Sequence, residues 1–188
     1  MSKSSVLEEY RRHKILARHH KGAFKGRVWK GKQLLVEIEG DSVNAIINEL
    51  HDFVDQRFVD IAKNRTSTPS SPEYVIAFQA IIEDLSDSHV AMLKAHYLAP
   101  NRERTATQLA EAAGYSSYGA VNLQYGMVGK KLNEELPIKL PEREDGTPIY
   151  TYALATAGDR SGKEAHWAWK LRPEVAHAIE KLGLVALT

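Results

Sequence analysis

The sequence contains no cysteine among its 188 residues. Disulfide bonds, thiolate catalysis and cysteine-ligated zinc are therefore excluded. No apolar run approaches the roughly 20 residues that a membrane-spanning helix requires. The N-terminal residues also lack the apolar segment of a secretory signal. From these absences we expect a cytoplasmic protein with no membrane partner.

Signatures of common catalytic sites are missing as well. There is no Walker-type glycine loop and no nucleophile elbow. A restriction-type magnesium site needs an Asp and a Glu-x-Lys arrangement on adjacent strands, and no Glu-x-Lys follows Glu37 and Glu39. We therefore predict no catalytic residue, no metal site and no cofactor, and favour a binding protein over an enzyme. A metal-dependent nuclease that uses N-terminal acids and histidines is the least favoured alternative.

Acidic residues are absent between Tyr10 and Val36, although the net charge of the chain is only +1. That interval holds nine of the 25 basic residues, so the rest of the chain carries 16 minus 24, or −8. Clustered Lys and Arg gain affinity for nucleic acid by releasing its counterions. The main alternative is a solvated basic face, and a membrane surface or an acidic protein partner could also bind such a patch. The predicted phosphate-binding residues of this patch are Arg11, Arg12, Arg18, Lys25, Arg27 and Lys30.

The N-terminal third is predicted to form a helix, a β-hairpin and a second helix. Val6, Leu7, Tyr10 and Leu16 suggest a helix over residues 3–20. Alternation of apolar and polar residues up to Glu39 then indicates two strands, joined by a turn at Lys30-Gly31. A long apolar stripe predicts a helix from about Asp41 to Lys63. The segment 65–72 has two prolines and five hydroxyl residues, which favours a linker between regions 1–64 and 73–188.

The stretch 105–136 has the pattern of a helix-turn-helix. Thr105 and Gln108 have the spacing of a capping box, Gly114 suits a left-handed helix end, and Ser116 or Ser117 can cap a second helix. Asn and Gln can bond an adenine edge, and Lys suits guanine or phosphate. The apolar stripe of the second helix is Val121, Tyr125, Val128, Leu132 and Leu136. Its predicted DNA-contacting residues are Asn122, Gln124 and Lys130.

A β-hairpin is predicted after the helix-turn-helix, from strands over 149–156 and 165–171 with a charged turn between them. In that position it would be the wing of a winged-helix-like domain, with Arg160 and Lys163 at the tip within reach of a phosphate backbone. A plain hairpin that closes the domain is the alternative. The predicted fold class is α+β and mostly helical: a winged-helix-like C-terminal domain preceded by a small helix-hairpin-helix region.

Four segments follow one another within residues 85–185: LSDSHVAMLKAHYLAP, TATQLAEAAGYSSYGAVNLQYGMVGKKL, IYTYALA and WAWKLRPEVAHAIEKLGLV. Together they resemble a domain that precedes the nuclease domain of bacterial HNH-type restriction endonucleases. The resemblance implies a DNA-associated module from restriction-modification or phage defence, and it supplies no catalytic residues because the HNH motif is absent from this sequence.

The sequence thus favours a non-catalytic DNA-binding protein that holds phosphates through the N-terminal patch and reads DNA through the helix-turn-helix and wing. The alternative is a protein-interaction module, such as a regulator, a specificity subunit or a phage-encoded inhibitor, that docks on a nucleic-acid enzyme such as a nuclease. Residues 85–188 contain 12 basic and 12 acidic residues, and this neutrality favours the alternative. The oligomeric state, the DNA sequence and any base modification recognised stay open.

Overall fold

The computed structural model describes residues 5–158 and 167–186. The chain divides into two compact units, Met1–Asn64 (unit 1) and Arg65–Thr188 (unit 2). The fold class is α+β, with six α-helices and two antiparallel sheets in the described residues. Arg65 belongs to unit 2, where its Nε donates to the carbonyl of Pro137 at 3.2 Å and its Nη1 to Glu73 at 3.0 Å.

Unit 1 is a four-stranded antiparallel sheet with strand order β1-β2-β3-β4 and one long helix packed on it. Its elements are β1 (Ser5–Tyr10), β2 (His13–His20), β3 (Ala23–Lys30), β4 (Gln33–Gly40) and α1 (Val43–Asn64). The helix lies close to the sheet at Gly26, where a Cβ would stand within 3 Å of both Ile46 and Leu50. Because only glycine leaves this space, α1 can bury its apolar stripe directly on β3.

The predicted helix over residues 3–20 is wrong, and with it the helix-hairpin-helix arrangement of unit 1. Residues 5–10 and 13–20 form β1 and β2, in which side chains alternate between the two sheet faces, and Ile15 and Ala17 are fully buried against α1. The turn between the two strands consists of Arg11 and Arg12, with φ values of 44° and 57°. Tight hairpin turns favour glycine or asparagine at such positive φ values, so two arginines gave no turn signal.

The second predicted hairpin exists, but its turn is displaced by one residue. Lys30 pairs with Gln33, so the turn residues are Gly31 and Lys32. The helix that follows was placed correctly, and Ser42 caps it by accepting from the N–H of Ala45 at 3.1 Å.

Unit 2 packs its helices around one large apolar core and carries a three-stranded sheet of order β5-β7-β6. Its elements are α2 (Ser71–Ile81), α3 (Asp87–Tyr97), β5 (Glu103–Thr105), α4 (Ala106–Ala113), α5 (Tyr118–Glu135), β6 (Ala155–Ala157), β7 (Ala168–Leu171) and α6 (Pro173–Lys181). From α3 to β7 the order is helix, strand, helix, helix, strand, strand. The first of these strands pairs with the last, which places the β6–β7 pair beside the start of α4.

The caps of α4 and α5 explain why the chain turns where it does. The N–H of Gln108 donates to Thr105 Oγ1 at 3.2 Å, and the Gln108 side chain accepts from the Thr105 N–H at 3.0 Å. Gly114 has a φ of 72°, the left-handed conformation that ends a helix, and Ser117 caps α5. The five residues predicted as the apolar stripe of α5 are all buried. The predicted strand over 149–156 is largely wrong, because Tyr150–Ala153 form a short 3-10 helix before β6.

Candidate nucleic-acid interface

The face of the unit 1 sheet that lies opposite α1 carries much of the predicted basic patch. Arg18 pairs with Lys25 in the β2–β3 register, and Leu16 pairs with Arg27. Because cross-strand partners share a face, these side chains lie together, away from the buried Ile15 and its neighbours. They border a shallow cavity of about 360 Å³.

Two of these basic side chains already have acidic partners on β4. Lys25 Nζ lies 2.6 Å from Glu39 Oε1, and Arg27 Nε lies 2.6 Å from Glu37 Oε2. The hydrogen bond from Arg27 lowers the pKa of Glu37, and the hydrogen bond to Glu39 raises the pKa of Lys25. A phosphate at either position would compete with a carboxylate, so this face attracts an anion less than its basic residues suggest. Arg18 is exposed and has no acidic partner among the described residues.

The other predicted patch residues lie at turns and strand ends. Arg11 Nε is 2.6 Å from Asp55 of α1, and its guanidinium stands 4.8 Å from the ring centre of Phe58. Arg11 therefore holds the β1–β2 turn against the helix and is not part of the open face. Arg12 follows in the same turn, and Lys30 ends β3. The structure thus keeps Arg18, Lys25 and Arg27 together on the sheet face and places the other three predicted residues at turns or strand ends.

One exposed surface of unit 2 is a side of α5. The exposed residues on it follow each other at helical spacing: Gly119, Asn122, Leu123, Met127 and Lys130. No acidic residue occurs in α5 before Glu134. The exposed fractions of Leu123 and Met127 are 63% and 41%. This surface, which we call the α5 face, is uncharged apart from Lys130.

Two of the three predicted α5 contacts lie on this face, and the third does not. Asn122 and Lys130 are exposed. Gln124 is half-buried, and its Oε1 accepts from His89 Nε2 at 2.9 Å. His89 Nδ1 in turn accepts from the N–H of Ser86 at 3.2 Å, which fixes the proton on Nε2. Gln124 therefore joins α3 to α5. Arg160 and Lys163, the predicted wing contacts, lie outside the described residues.

The two glycines of α5 that the sequence singled out have different surroundings. A Cβ on Gly129 would collide with the carbonyl oxygen of Tyr150, so the 3-10 helix packs directly on this glycine. A Cβ on Gly126 would meet no atom within 4 Å. Internal packing among the described residues therefore accounts for Gly129 and leaves Gly126, which lies along the α5 face, without an internal cause.

A second cavity, of about 560 Å³, opens beside the first turns of α4 and α5. Aromatic rings form much of its wall: Tyr118, Tyr152, Trp167 and Trp169. The ring centres of Tyr152 and Trp169 lie 5.2 Å apart at 86°, and those of Trp167 and Trp169 lie 5.9 Å apart at 61°. Asn122 of the α5 face also borders this aromatic cavity.

A buried histidine fixes the strand that carries Trp169. His96 of α3 is fully buried, its Nε2 donates to the carbonyl of Trp169 at 2.8 Å, and its Nδ1 accepts from the Tyr125 hydroxyl at 2.7 Å. Burial lowers the pKa of His96 to about 4, so the ring is neutral at pH 7. The neutral ring therefore ties α3, α5 and β7 into one support for the aromatic cavity.

Sequence reasoning missed the aromatic cavity. The runs IYTY and HWAW were taken only as strand-forming residues. The available signal was the spacing of Trp167 and Trp169: two of the three tryptophans lie two residues apart, and such residues share a face of an extended segment. Tyr118 and Asn122, one helical turn apart, gave a second signal.

Within residues 5–158 and 167–186 no group of three or more histidine or carboxylate side chains could hold a metal ion. No helix in the same residues has both the length and the apolar character needed to cross a membrane. No protein-family model matches the chain, and comparisons with curated proteins and with solved structures gave no match either.

Proposed function

We propose that this chain is a non-catalytic DNA-binding protein in which α5 contacts the duplex. The observation that carries the proposal is the α5 face. It is the outer side of the second helix of a capped helix-turn-helix, it has no acidic residue, and it contains Gly126, which no contact with the described residues explains. A glycine here costs up to about 1 kcal/mol of helix stability relative to alanine. Close approach of an external backbone or groove is a physical reason to keep it.

The side chains on the α5 face suit the major groove. An Asn amide can pair with the edge of adenine, and apolar groups can contact the thymine methyl. Asn122 is the candidate for the first contact, and Leu123 for the second. Lys130 stands two turns after Asn122 and is the candidate phosphate contact. In unit 1, Arg18 is the strongest phosphate candidate because Lys25 and Arg27 already have acidic partners.

A role in restriction-modification or phage defence belongs to the same proposal. Its support is the resemblance of residues 85–185 to the domain that precedes the nuclease domain of HNH-type restriction endonucleases. The proposal gives this chain the DNA contact only and no cleavage step.

Fluorescence anisotropy of the full chain with a mixed-sequence duplex, at about 50 and 200 mM salt, tests the proposal. We expect Lys130→Ala to lower the salt slope by about one phosphate and Asn122→Ala to weaken binding by about 1–3 kcal/mol at preferred sequences. Lys139→Ala is the matched control in unit 2, because Lys139 is exposed and outside the α5 face. Arg57→Ala on α1 is the control for Arg18→Ala. Absence of binding at the lower salt concentration would contradict the proposal.

A protein-interaction module is the second candidate, and the exposure of Leu123 and Met127 favours it. Unit 2 has 13 basic and 15 acidic residues, a net charge of −2, which gives DNA no general attraction. If the α5 face binds a protein, Leu123→Asp should abolish a complex in which Lys130→Ala has little effect. Under the DNA proposal, both substitutions weaken duplex binding.

A further inference from the structure

We propose that the aromatic cavity of unit 2 binds one unstacked nucleobase of a bound nucleic acid. The inference rests on the proposed function and gives the same surface a second contact. Its basis is the meeting of four aromatic rings and one amide at a single cavity, next to the start of the α5 face.

Neighbouring rings of the cavity are not stacked in parallel. Tyr152 and Trp169 meet edge to face at 86°, and Trp167 and Trp169 at 61°. Tyr118 and Trp167 are 64% and 41% exposed, which leaves part of each ring open to solvent. Proteins that bind single strands use such rings as platforms, because every base has a face that can stack.

The polar side chains that line the cavity in the described part of the chain are uncharged. Among these residues there is no Asp, Glu, Lys or Arg, so none of their side chains offers an opposite charge to a free phosphate or a cation. The first turns of α4 and α5 both border it, and the partial positive charge of helix N-termini disfavours a quaternary ammonium group. The Asn122 amide has no hydrogen-bond partner in the described part of the chain and offers a donor and an acceptor. A nucleobase edge presents the complementary pair.

Asn122 connects the cavity to the duplex surface. It lies on the α5 face and also borders the cavity, one turn after Tyr118. A base that leaves the stack near α5 would therefore reach the aromatic rings without leaving the protein surface. Removal of a base from the stack is least costly where it is mismatched, bulged or already single-stranded. The inferred ligand is therefore DNA with one unpaired base.

The test uses the full chain and three probes: a fully paired duplex, the same duplex with one bulged 2-aminopurine, and a single strand that carries 2-aminopurine. We expect the bulged duplex to bind roughly tenfold more tightly than the paired duplex, in line with stacking of one base on aromatic rings. The 2-aminopurine fluorescence should fall on binding as the base stacks. Trp167→Ala should remove the preference for the bulge and leave paired-duplex affinity unchanged.

Trp167→Phe is the matched variant, since it keeps a ring, and it should retain part of the preference. Leu98→Ala, an exposed apolar residue that does not line the cavity, controls for general loss of surface area. Equal affinity for paired and bulged duplexes would overturn the inference while the proposed function stands. Failure to bind the paired duplex would contradict the proposed function. In that case, binding of the single-strand probe would show by itself whether the cavity accepts a base.

Aromatic grooves also bind proline-rich peptides. If the tryptophan fluorescence of the protein is quenched by a peptide of about ten prolines and by none of the three DNA probes, the inference is overturned.

Discussion

The open sheet face of unit 1 and the α5 face of unit 2 differ in how their polar side chains are used. The sheet face holds several basic residues, but Lys25 and Arg27 are paired with Glu39 and Glu37 across the β3–β4 register. The α5 face holds a single lysine and no acid, and in the described part of the chain its Asn122 amide has no hydrogen-bond partner. The difference teaches that a count of basic residues overstates attraction for an anion wherever the fold supplies the carboxylates.

The comparison follows from strand registry. The acid-free interval ends at Val36, and the next acids, Glu37 and Glu39, alternate on β4. The tight turn at Gly31 and Lys32 folds β4 back on β3, which puts each acid opposite a base. The hairpin thus makes neighbours of basic residues within the acid-free interval and acidic residues that follow it in the sequence. By contrast, the acidic residues of α5 lie at its C-terminal end, away from Asn122 and Leu123.

The largest expected effect distinguishes the two glycines of α5. Gly129→Ala should lower the free energy of unfolding by about 3 kcal/mol, because its Cβ would collide with the Tyr150 carbonyl and displace the backbone. Gly126→Ala should raise it by up to about 1 kcal/mol, because alanine is the better helix former and the site is open. Urea unfolding followed by circular dichroism measures both.

The same pair of variants sharpens the comparison of surfaces. If the α5 face serves binding and not folding, Gly126→Ala should be more stable than the parent chain and yet weaker in duplex binding. If Gly126→Ala instead loses stability, another part of the chain packs against Gly126. The main observation behind the proposed function would then be wrong.

Acid should affect the core of unit 2 through His96. Its folded pKa of about 4 lies below its ordinary value near 6.5, so the unfolded chain binds the proton more readily. The stabilising contribution of neutral His96 is therefore complete above pH 6.5 and is lost as the pH falls toward 4, by up to about 3 kcal/mol. The surface ion pairs of unit 1 should contribute little to this change, because they are exposed to solvent.

His96→Gln supplies the control, because it removes this titration and leaves the other groups in place. Denaturant midpoints at pH 7.5, 6 and 4.5 should fall more steeply for the parent chain than for the variant. Parallel curves for the two proteins would contradict the assignment of the acid sensitivity to His96.

Local sequence signals sufficed for the helix-turn-helix and failed for unit 1. The boundaries of α4 and α5 are fixed by side chains within three residues of each helix end, such as Thr105 with Gln108, and these are visible in sequence. The β1–β2 hairpin depends on pairing across the sheet and on burial of Ile15 under α1. Its arginine turn has no glycine, asparagine or proline, so the short strands on either side were taken for one helix.

The candidate site was predictable in part for the same reason. Exposure of Asn122 and Lys130 follows from helical spacing against the apolar stripe. Gln124 is not available on this face because it accepts a hydrogen bond from His89. These two residues are 35 positions apart in the sequence, so no local pattern reveals their contact. The aromatic cavity likewise joins residues from α5, the 3-10 helix and the start of β7. Its parts were present in the sequence, but their meeting depends on tertiary packing.

A smaller effect should distinguish two arginines of unit 1. Arg11 is ion-paired with Asp55 and stands over the Phe58 ring, so Arg11→Ala should lower the stability of unit 1 by about 1–2 kcal/mol through lost packing and pairing. Arg27→Ala should have a smaller effect, because Arg27 has only its exposed pair with Glu37 and no ring contact among the described residues. Thermal unfolding of both variants at the same salt concentration measures the difference. Equal losses would argue that Arg27 is part of the fold to the same degree as Arg11.

The smallest expected effect would break the comparison of the two surfaces. A double variant that combines Glu37→Gln and Glu39→Gln keeps the shape of the sheet face and removes both carboxylates. Lys25 and Arg27 then become available to a phosphate. Duplex affinity at about 50 mM salt should then rise by roughly two- to tenfold, with a steeper salt dependence. Glu49→Gln, an exposed acid on α1 and off this face, controls for net charge. If both variants raise affinity equally per charge removed, the gain is a general charge effect and the pairing has no special role. If only the β4 variant does so, the sheet face is a latent phosphate-binding surface that its own acids restrain.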